Sequence, residues 1–188
     1  SAQDRFTLKY KDSEIFSGIE VGSKGVKMSI LEVVIKDQKT TAFNVLKDTS
    51  VNSDFISFTN TSFYATLNAL NSLYDVAMLR YSIPSKNIFT VFSSGVKVQA
   101  SKDDKDSWLK VLADSFRTRI YEPDREMEAI DVSEEARLSH LGIVPDSRRY
   151  TTFLIDIGSG NTKGGYFPNG NTKDFKLFQL TWGTKSVA

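Results

Sequence analysis

The sequence predicts a mixed α/β domain in which a five-stranded sheet is flanked by helices. Strand-like alternation of apolar and polar residues dominates the N-terminal part, and helical periodicity begins near residue 60. From there, short apolar runs alternate with longer amphipathic segments, an order typical of mixed α/β domains. Two similar turns, IEVGSKGVK at 19–27 and IDIGSGNTK at 155–163, each follow an apolar run and place glycines between strands.

Residues 14–35 are predicted to form two strands around a tight turn. Val26, Met28 and Ile30 are separated by single polar residues, which is the period of a half-buried strand. The stretch TAFNVLKDTSV that follows is predicted to be a third strand leading into a polar loop. These segments supply three of the five strands of the expected sheet.

The first predicted helix begins near residue 60, where Asn60 or Thr61 is expected to cap it. Its apolar residues recur at the spacing of one helical face. They are Phe63, Leu67, Leu70 and Tyr74. Pro84 follows in SIPSKN and ends the segment, because proline disfavours the helical conformation in the residue before it.

Strands and helices alternate in the next part of the chain. IFTVF is predicted to be a short strand. KDDKDSWLKVLADSFRTRI is predicted to be a second helix, because the acidic residues in its first turn stabilise a helix N-terminus. The inner face of this helix is predicted to carry Trp108, Val111, Leu112 and Phe116. MEAIDV is predicted to be a strand running into SEEARLSHLGIVP, a third helix capped by Ser133 and ended by Gly142 and Pro145.

The C-terminal region is predicted to form a hairpin and one more strand. YTTFLIDIG and GGYFPNG flank a glycine-rich turn, and FKLFQLTWG supplies the last strand. The similarity of this turn to the one at 19–27 suggests two equivalent turns that face one site.

Composition excludes several classes of function. Lysine and arginine number 24 against 23 acidic residues, so no basic field argues for nucleic acid or an anionic membrane. The chain has no cysteine, which excludes disulfides and thiolate chemistry, and its single histidine excludes a multi-histidine metal centre. No apolar run approaches the length of a membrane span. An anionic ligand would therefore have to be held by a local site.

The first residue is Ser1 rather than methionine, and two expectations for localisation follow. The lack of cysteine fits a cytoplasmic protein. Alternatively, SAQD is the trimmed end of a signal peptide, with small residues before the cut, and the protein is exported.

The two glycine turns have the chemistry of an anion site. Glycine lets the backbone approach a ligand closely, so several N–H groups can converge on one phosphate. The carboxylate ahead of each turn, Glu20 or Asp156, is expected to hold Mg²⁺ or to orient an attacking water. The residues expected to bind phosphate are Gly22, Ser23, Lys24, Gly158, Ser159, Gly160, Asn161 and Thr162. The simpler alternative is that each motif is a β-hairpin with a glycine turn and an incidental acid.

The paired turns resemble the phosphate-binding hairpins of the actin-like ATPase superfamily. Between them, IDVSEEARLSHLGIV is similar to a segment typical of the exopolyphosphatase and guanosine pentaphosphate phosphatase family, and the order of predicted elements agrees over about residues 15–185. The resemblance implies a ribonuclease-H-like (actin-like ATPase) fold. It also implies that residues 1–188 are a single lobe, the N-terminal domain of a longer two-lobed protein.

The same resemblance implies a phosphoanhydride hydrolase that releases terminal phosphate from polyphosphate or a nucleotide polyphosphate. Glu135, the second acid of SEEARL, matches the family's catalytic base, and Mg²⁺ near Glu20 and Asp156 is the implied cofactor. A carboxylate in the first turn of a helix can orient a water toward a terminal phosphate. Without the match, dipole compensation at a helix N-terminus would explain the same acid. A homodimer through the missing or the remaining lobe is left open.

The chain departs from the family pattern at several positions. Glu20 stands where Asp is usual, Lys163 where Glu is usual after the second turn, and Lys24 where a small polar residue is usual. After IFTVF the family shows Thr-x-x-Leu-Arg with a phosphate-binding arginine, whereas SSGVKVQAS is interpreted as offering only Lys97, out of register. These departures favour an alternative function, a non-catalytic phosphate- or nucleotide-binding or scaffold module. A third alternative, a nucleotide-dependent actin-like assembly protein, is disfavoured by SEEARL.

Overall fold

The structure is a computed structural model that describes residues 5–36, 39–129, 131, 133, 136–137, 154–157, 162–166 and 176–180. The chain divides into two compact units. The first comprises Ser1–Phe92 and Lys105–Glu128, and the second comprises Ser93–Asp104 and Ala129–Ala188.

A five-stranded mixed sheet with strand order β3-β2-β1-β4-β5 forms the centre of the fold. The strands β1, β2 and β3 pair in antiparallel fashion, whereas β4 runs parallel to β1. Their bounds are β1 Glu14–Val21, β2 Gly25–Lys36, β3 Lys39–Asn52, β4 Ile88–Phe92 and β5 Met127–Ala129. The predicted fold class, a mixed five-stranded sheet flanked by helices, is confirmed.

One face of this sheet forms the core of the first unit. Ile19 lies opposite Met28 and Val21 lies opposite Val26 across the β1–β2 pair, and all four side chains are fully buried. Helix α1 (Asn60–Asp75) contacts both strands and contributes the buried Leu70. The predicted alternation over Val26, Met28 and Ile30 in β2 is therefore confirmed, because these side chains are buried on the face of the sheet that α1 covers.

Helix α1 begins at Asn60, where the sequence predicts it, but its capping residue differs from the prediction. Thr59, rather than Asn60 or Thr61, is the N-cap: its side chain accepts a hydrogen bond from the N–H of Ser62 at 3.1 Å. The hydroxyl of Ser62 in turn accepts one from the N–H of Thr59 at 3.1 Å. This reciprocal arrangement is a capping box. Beyond α1, residues Val76–Arg80 continue as a π-helical turn.

The last helix of the first unit exposes one residue that the sequence places inside. Two helices lie between β4 and β5, which are α2 (Ser94–Lys102) and α3 (Asp106–Ile120). In α3, Val111 is 52% exposed and Trp108 is half-buried. The buried residues are Leu109, Leu112, Ala113 and Phe116. The predicted inner face was therefore wrong at Val111, since the stripe that packs in the core runs through Leu109 and Ala113 instead.

The second unit contains a three-stranded antiparallel sheet with the order β6-β7-β8. Its strands are β6 Leu154–Ile157, β7 Thr162–Tyr166 and β8 Lys176–Leu180. The predicted C-terminal hairpin and last strand are thus confirmed. Of the predicted third helix, Ser133, Ala136 and Arg137 are helical, while Glu134, Glu135, His140, Gly142 and Pro145 lie outside the described residues.

A buried arginine joins the segment after α3 to the beginning of β4. The side chain of Arg125 is 6% exposed and donates to the carboxylate of Glu122, to the carbonyl of Ile88 and, at 2.9 Å, to the hydroxyl of Ser85. Glu122 also accepts hydrogen bonds from Ser85 and Tyr74. Burial of Glu122 disfavours its charged form, but these hydrogen bonds outweigh that effect and lower its pKa below the ordinary value. Burying the arginine is tolerated because its donors are engaged.

Replacing Arg125 by lysine is expected to destabilise the fold by about 2 kcal/mol, because one ammonium cannot reach all the acceptors that the planar fork of arginine satisfies. Chemical denaturation followed by circular dichroism measures the change. The matched control is Arg119→Lys, because Arg119 makes an exposed hydrogen bond to Asn68 and should change stability by less than about 0.5 kcal/mol. Equal effects of the two substitutions would contradict the assignment of Arg125 as an anchor.

Candidate functional site

The first glycine turn joins β1 to β2 as a two-residue hairpin loop. The antiparallel register ends with Val21 opposite Val26, and the N–H of Gly22 donates to the carbonyl of Gly25 at 2.8 Å. Only Ser23 and Lys24 lie between this pair. The N–H of Gly22 is already hydrogen-bonded within the hairpin. Gly22 could therefore help a ligand only through the space that its missing side chain leaves open.

The end of β3 holds this turn from the side. The carbonyl of Lys24 accepts hydrogen bonds from the N–H groups of Ser53 at 3.1 Å and Asp54 at 3.4 Å. Two-residue hairpin loops usually need positive φ angles in the loop itself. Neither Ser23 nor Lys24 has a positive φ, whereas Asp54 has a φ of 50°. The left-handed residue is thus Asp54, which follows β3 and hydrogen-bonds to the turn, and it is not in the two-residue loop.

Gly25 is required by a close backbone approach. A Cβ atom built on Gly25 would lie 2.1 Å from the carbonyl oxygen of Val51 and 2.9 Å from the Cα of Asn52. At Gly22 the corresponding distances are 3.4 Å to the carbonyl oxygen of Gly25 and 3.8 Å to Oε1 of Glu20, which are ordinary contacts. The two glycines therefore differ in role, since Gly25 lets β3 pass and Gly22 leaves room beside the Glu20 carboxylate.

The side chains at this turn have different exposures. Ser23 is buried, Glu20 is half-buried and Lys24 is exposed. Lys27 is the Cα partner of Glu20 across the β1–β2 pair and is exposed, so an acid and a cation occupy one face of the hairpin. The structure thus brings together Glu20, Gly22, Ser23 and Lys24 of the residues that the sequence predicts for the site, and adds Lys27.

The second turn has the same register at its base. Asp156 is the Cα partner of Lys163, and Ile157 is the partner of Thr162. The predicted phosphate-binding residues between β6 and β7, which are Gly158, Ser159, Gly160 and Asn161, lie outside the described residues, as does Glu135. In each hairpin, the acid before the turn therefore stands opposite the lysine that ends the repeated motif.

The described residues supply a sparse set of ligands for a metal ion. No group of three or more histidine, cysteine, aspartate or glutamate side chains that could hold a metal occurs in the described part of the chain. Glu20 contributes one carboxylate. Mg²⁺ is commonly bound by one or two carboxylates together with substrate phosphates and waters. The donors present fit an ion that arrives with a phosphorylated substrate and do not form an all-protein cage.

Helix α2 corrects the interpretation of Lys97. Ser93 caps α2, since its hydroxyl oxygen accepts a hydrogen bond from the N–H of Val96 at 3.2 Å, and Lys97 is exposed in the first turn. Ser93, Val96 and Lys97 have the spacing of the Thr-x-x-Leu-Arg pattern, with serine, valine and lysine as replacements. The interpretation of Lys97 as out of register is therefore wrong. The sequence also gave no prediction of α2, which is short and contains Gly95.

Sequence reasoning missed the contribution of Ser53 and Asp54 to the turn. The polar run Asn52–Asp54 reads as an ordinary loop, and its hydrogen bonds to Lys24 depend on the β2–β3 register, in which Gly25 is the partner of Asn52. Such a non-local pairing leaves no mark in local propensity. A loop rich in Asn, Ser and Asp immediately after a strand is the only local signal.

Comparisons with known proteins identify solved structures with the same fold. A member of the Ppx/GppA protein family from Aquifex aeolicus is 15% identical, with a TM-score of 0.61 over 91% of this chain and 52% of that chain. An exopolyphosphatase-like protein is 16% identical, with a TM-score of 0.63 over 92% of this chain and 52% of that one. An exopolyphosphatase from Cytophaga hutchinsonii is 16% identical, with a TM-score of 0.58 over 93% and 52%.

The chain spans about half the length of these solved structures. No model of a known protein family matches the sequence, and no curated protein sequence does. The predicted resemblance to the exopolyphosphatase family is confirmed in structure. Because the sequence identity is only 15–16%, the likeness establishes the fold and not the activity.

Substituting the two glycines of the first turn should have unequal effects on stability. We expect Gly25→Ala to destabilise the protein by about 3 kcal/mol, because the new Cβ would overlap the Val51 carbonyl and force β2 and β3 apart. Gly22→Ala should change stability by less than about 1 kcal/mol, since its contacts are ordinary. Urea denaturation measures both.

Gly18→Ala in the middle of β1 is the matched control. A Cβ there meets no atom within 4 Å, so alanine should be neutral or stabilise the protein by about 0.5 kcal/mol through its lower unfolded-state entropy. A Gly25→Ala protein as stable as Gly18→Ala would contradict the close approach of β3 to the turn.

Proposed function

We propose that this chain is one lobe of a two-lobed phosphoanhydride hydrolase of the exopolyphosphatase type. It would release terminal phosphate from polyphosphate or a nucleotide polyphosphate. The observation that carries the proposal is the likeness to a Ppx/GppA family structure over 91% of this chain and 52% of that one. The segment SEEARL, followed by a glycine turn after an apolar strand, supports the same assignment.

In this proposal the two hairpin turns bind neighbouring phosphates of one substrate. Gly22 leaves the space beside Glu20 open, and the exposed ammonium of Lys24 offers a counter-charge at the tip of the first turn. In the second turn the same task falls to Gly158, Ser159, Gly160, Asn161 and Thr162. Backbone and side-chain donors aimed at phosphate oxygens stabilise the charge that develops during transfer.

The proposed chemistry is assigned to a single carboxylate. Glu135 would act as the base that orients and deprotonates the hydrolytic water. Mg²⁺ held by Glu20 and Asp156 would neutralise phosphate charge when bound. Lys97, at the position of the family's arginine, would contact phosphate as a point charge without the bidentate fork of arginine.

A second candidate function is a non-catalytic module that binds phosphate or nucleotide. The shared register of the hairpins favours it, because Lys27 and Lys163 stand opposite Glu20 and Asp156. Cross-strand partners on one face lie close enough for opposite charges to interact. In this candidate, the lysine opposite each acid would offset the negative charge that a divalent ion needs and would add a cation for an anionic ligand. Anion binding without a metal is therefore the property that separates this candidate from the hydrolase.

Among the described residues, no helix is both long and apolar enough to span a membrane. Association into a homodimer through either lobe stays a proposal. So does the division of the full-length protein into this lobe and a second one.

Hydrolysis is tested by phosphate release from inorganic polyphosphate in the presence of Mg²⁺, with the full-length protein. We expect Glu135→Gln to lower kcat by at least about 100-fold, because general-base catalysis contributes that much or more. Glu134→Gln is the matched control and should retain most of the activity. No release by the wild type, or equal loss in both variants, would contradict the role of Glu135.

The second candidate is tested by polyphosphate binding in excess EDTA, measured by isothermal titration calorimetry. If the module binds without a metal, affinity should persist in EDTA and fall about threefold in Lys27→Met, since one exposed charge contact is lost. Lys36→Met, which removes an exposed lysine at the other end of β2, is the control. Binding that requires Mg²⁺ would exclude this candidate and leave the hydrolase.

A further inference from the structure

A segment at the N-terminus of the described chain is held to β2 by one buried carboxylate. We refer to residues 5–13 as the N-terminal strap. Glu32, in the middle of β2, is fully buried, and three of its four hydrogen bonds come from the strap. The strap has a second attachment, the ring of Phe6 stacked on Tyr81 with centroids 5.0 Å apart.

Both oxygens of the Glu32 carboxylate are fully engaged. Oε1 accepts from the N–H of Tyr10 at 2.7 Å and from the hydroxyl of Ser13 at 2.8 Å. Oε2 accepts from the N–H of Lys9 at 2.9 Å and from the side-chain amide of Asn44 on β3 at 3.3 Å. The two backbone amides and the Asn44 amide can only donate, and the Ser13 hydroxyl, which also lies 3.2 Å from the Tyr10 carbonyl, is the one neighbour that can accept instead, so the site favours an ionised carboxylate.

No cation contributes to this arrangement within the described residues. The groups that donate to Glu32 are two backbone amides and the Ser13 hydroxyl on the strap and the side-chain amide of Asn44 on β3. On β1, the Cα partner of Glu32 is the apolar Ile15. The ammonium of Lys9 lies 5.4 Å from the centre of the Tyr10 ring. The negative charge is therefore stabilised by hydrogen bonds, most of which exist only while the strap is in place.

We propose that Glu32 is an acid-sensitive latch, and that its protonation releases the N-terminal strap while the five-stranded sheet stays folded. Protonation would remove the charge that the N–H groups of Lys9 and Tyr10 and the Asn44 amide stabilise, and it would leave only the Ser13 hydroxyl able to accept from the new O–H, so the hydrogen bonds that hold the strap would weaken. The strap can then leave, since it supplies three of the donors and is not part of the sheet. β2 and β3 remain paired along their whole length.

The sign and range of the pH dependence follow from the balance of forces on Glu32. Burial raises the pKa, but the hydrogen bonds from Lys9, Tyr10, Ser13 and Asn44 outweigh it and lower the pKa below the ordinary 4.5. The stabilisation is therefore complete above pH 4.5 and is lost as the pH falls through the lowered value. The latch is closed at neutral pH and opens in acid.

Release of the strap would uncover a defined part of the first unit. A cavity of about 530 Å³ lies between the strap residues Tyr10, Lys11 and Asp12 and the end of the β2–β3 pair. Asp12 has a φ of 58°, so the strap turns sharply where it meets this cavity. The first glycine turn lies at the opposite end of β2, and we expect it to be unaffected by the release.

Hydrogen exchange followed by mass spectrometry tests the latch in the full-length protein. Glu32→Gln imitates the protonated state, because its amide again presents donors to donors. At neutral pH, exchange in the strap should accelerate by at least about tenfold, the effect of losing one charge-assisted hydrogen bond, while exchange in α1 changes less than about twofold. Asp48→Asn, the same replacement at an exposed carboxylate that accepts from Ser29, should leave the strap unchanged.

The wild-type protein gives an independent readout. As the pH is lowered below 4.5, a brief pulse of pepsin, a protease that is active in acid, should cut the strap near Phe6, Leu8 and Tyr10 before the protection of α1 is lost. Two outcomes would overturn the proposal. One is a folded Glu32→Gln protein whose strap stays protected. The other is loss of strap and α1 protection together, in the variant or in acid, which would make Glu32 a support of the whole fold and not a latch.

Discussion

The geometry of the first turn depends on the close approach of β3 to Gly25. A side chain at this position would meet the Val51 carbonyl at 2.1 Å, so only glycine allows β3 to reach the hairpin. Once there, β3 delivers the N–H groups of Ser53 and Asp54 to the Lys24 carbonyl. The turn is therefore fixed by the sheet, and the space beside Glu20 is preformed. If the turn binds phosphate as proposed, a site built this way would lose little conformational entropy when the ligand arrives.

The repeated motif is a structural equivalence as well as a similarity of sequence. Each hairpin pairs the acid before its turn with the lysine at the end of the motif, Glu20 with Lys27 and Asp156 with Lys163. Lys163, which departs from the family pattern, thus has a counterpart in the first hairpin. This register relates the two proposed functions, because the proposed metal-binding acids are the Cα partners of the two lysines.

The sequence predicts most of the fold and less of the site. Alternation and helical periodicity locate β1 to β4, α1 and the C-terminal hairpin, because burial on one face dictates the residue pattern. Glu32 was missed since a carboxylate in a strand reads as a solvent-facing residue, and its burial depends on donors from a distant segment. The hydrogen bond from Ser53 to the turn and the burial of Arg125 were missed for the same reason, since both depend on contacts between distant parts of the chain.

The measurement that tests the proposed site most directly is an NMR titration of this chain with tripolyphosphate, observed through backbone amides. If the two turns are the phosphate-binding elements, shift changes will concentrate at residues 22–25 and 158–162, and Gly22→Ala, which fills the space beside Glu20, will weaken the binding. Shift changes confined to other parts of the chain, or saturable binding that Gly22→Ala leaves intact, would contradict the assignment of these turns.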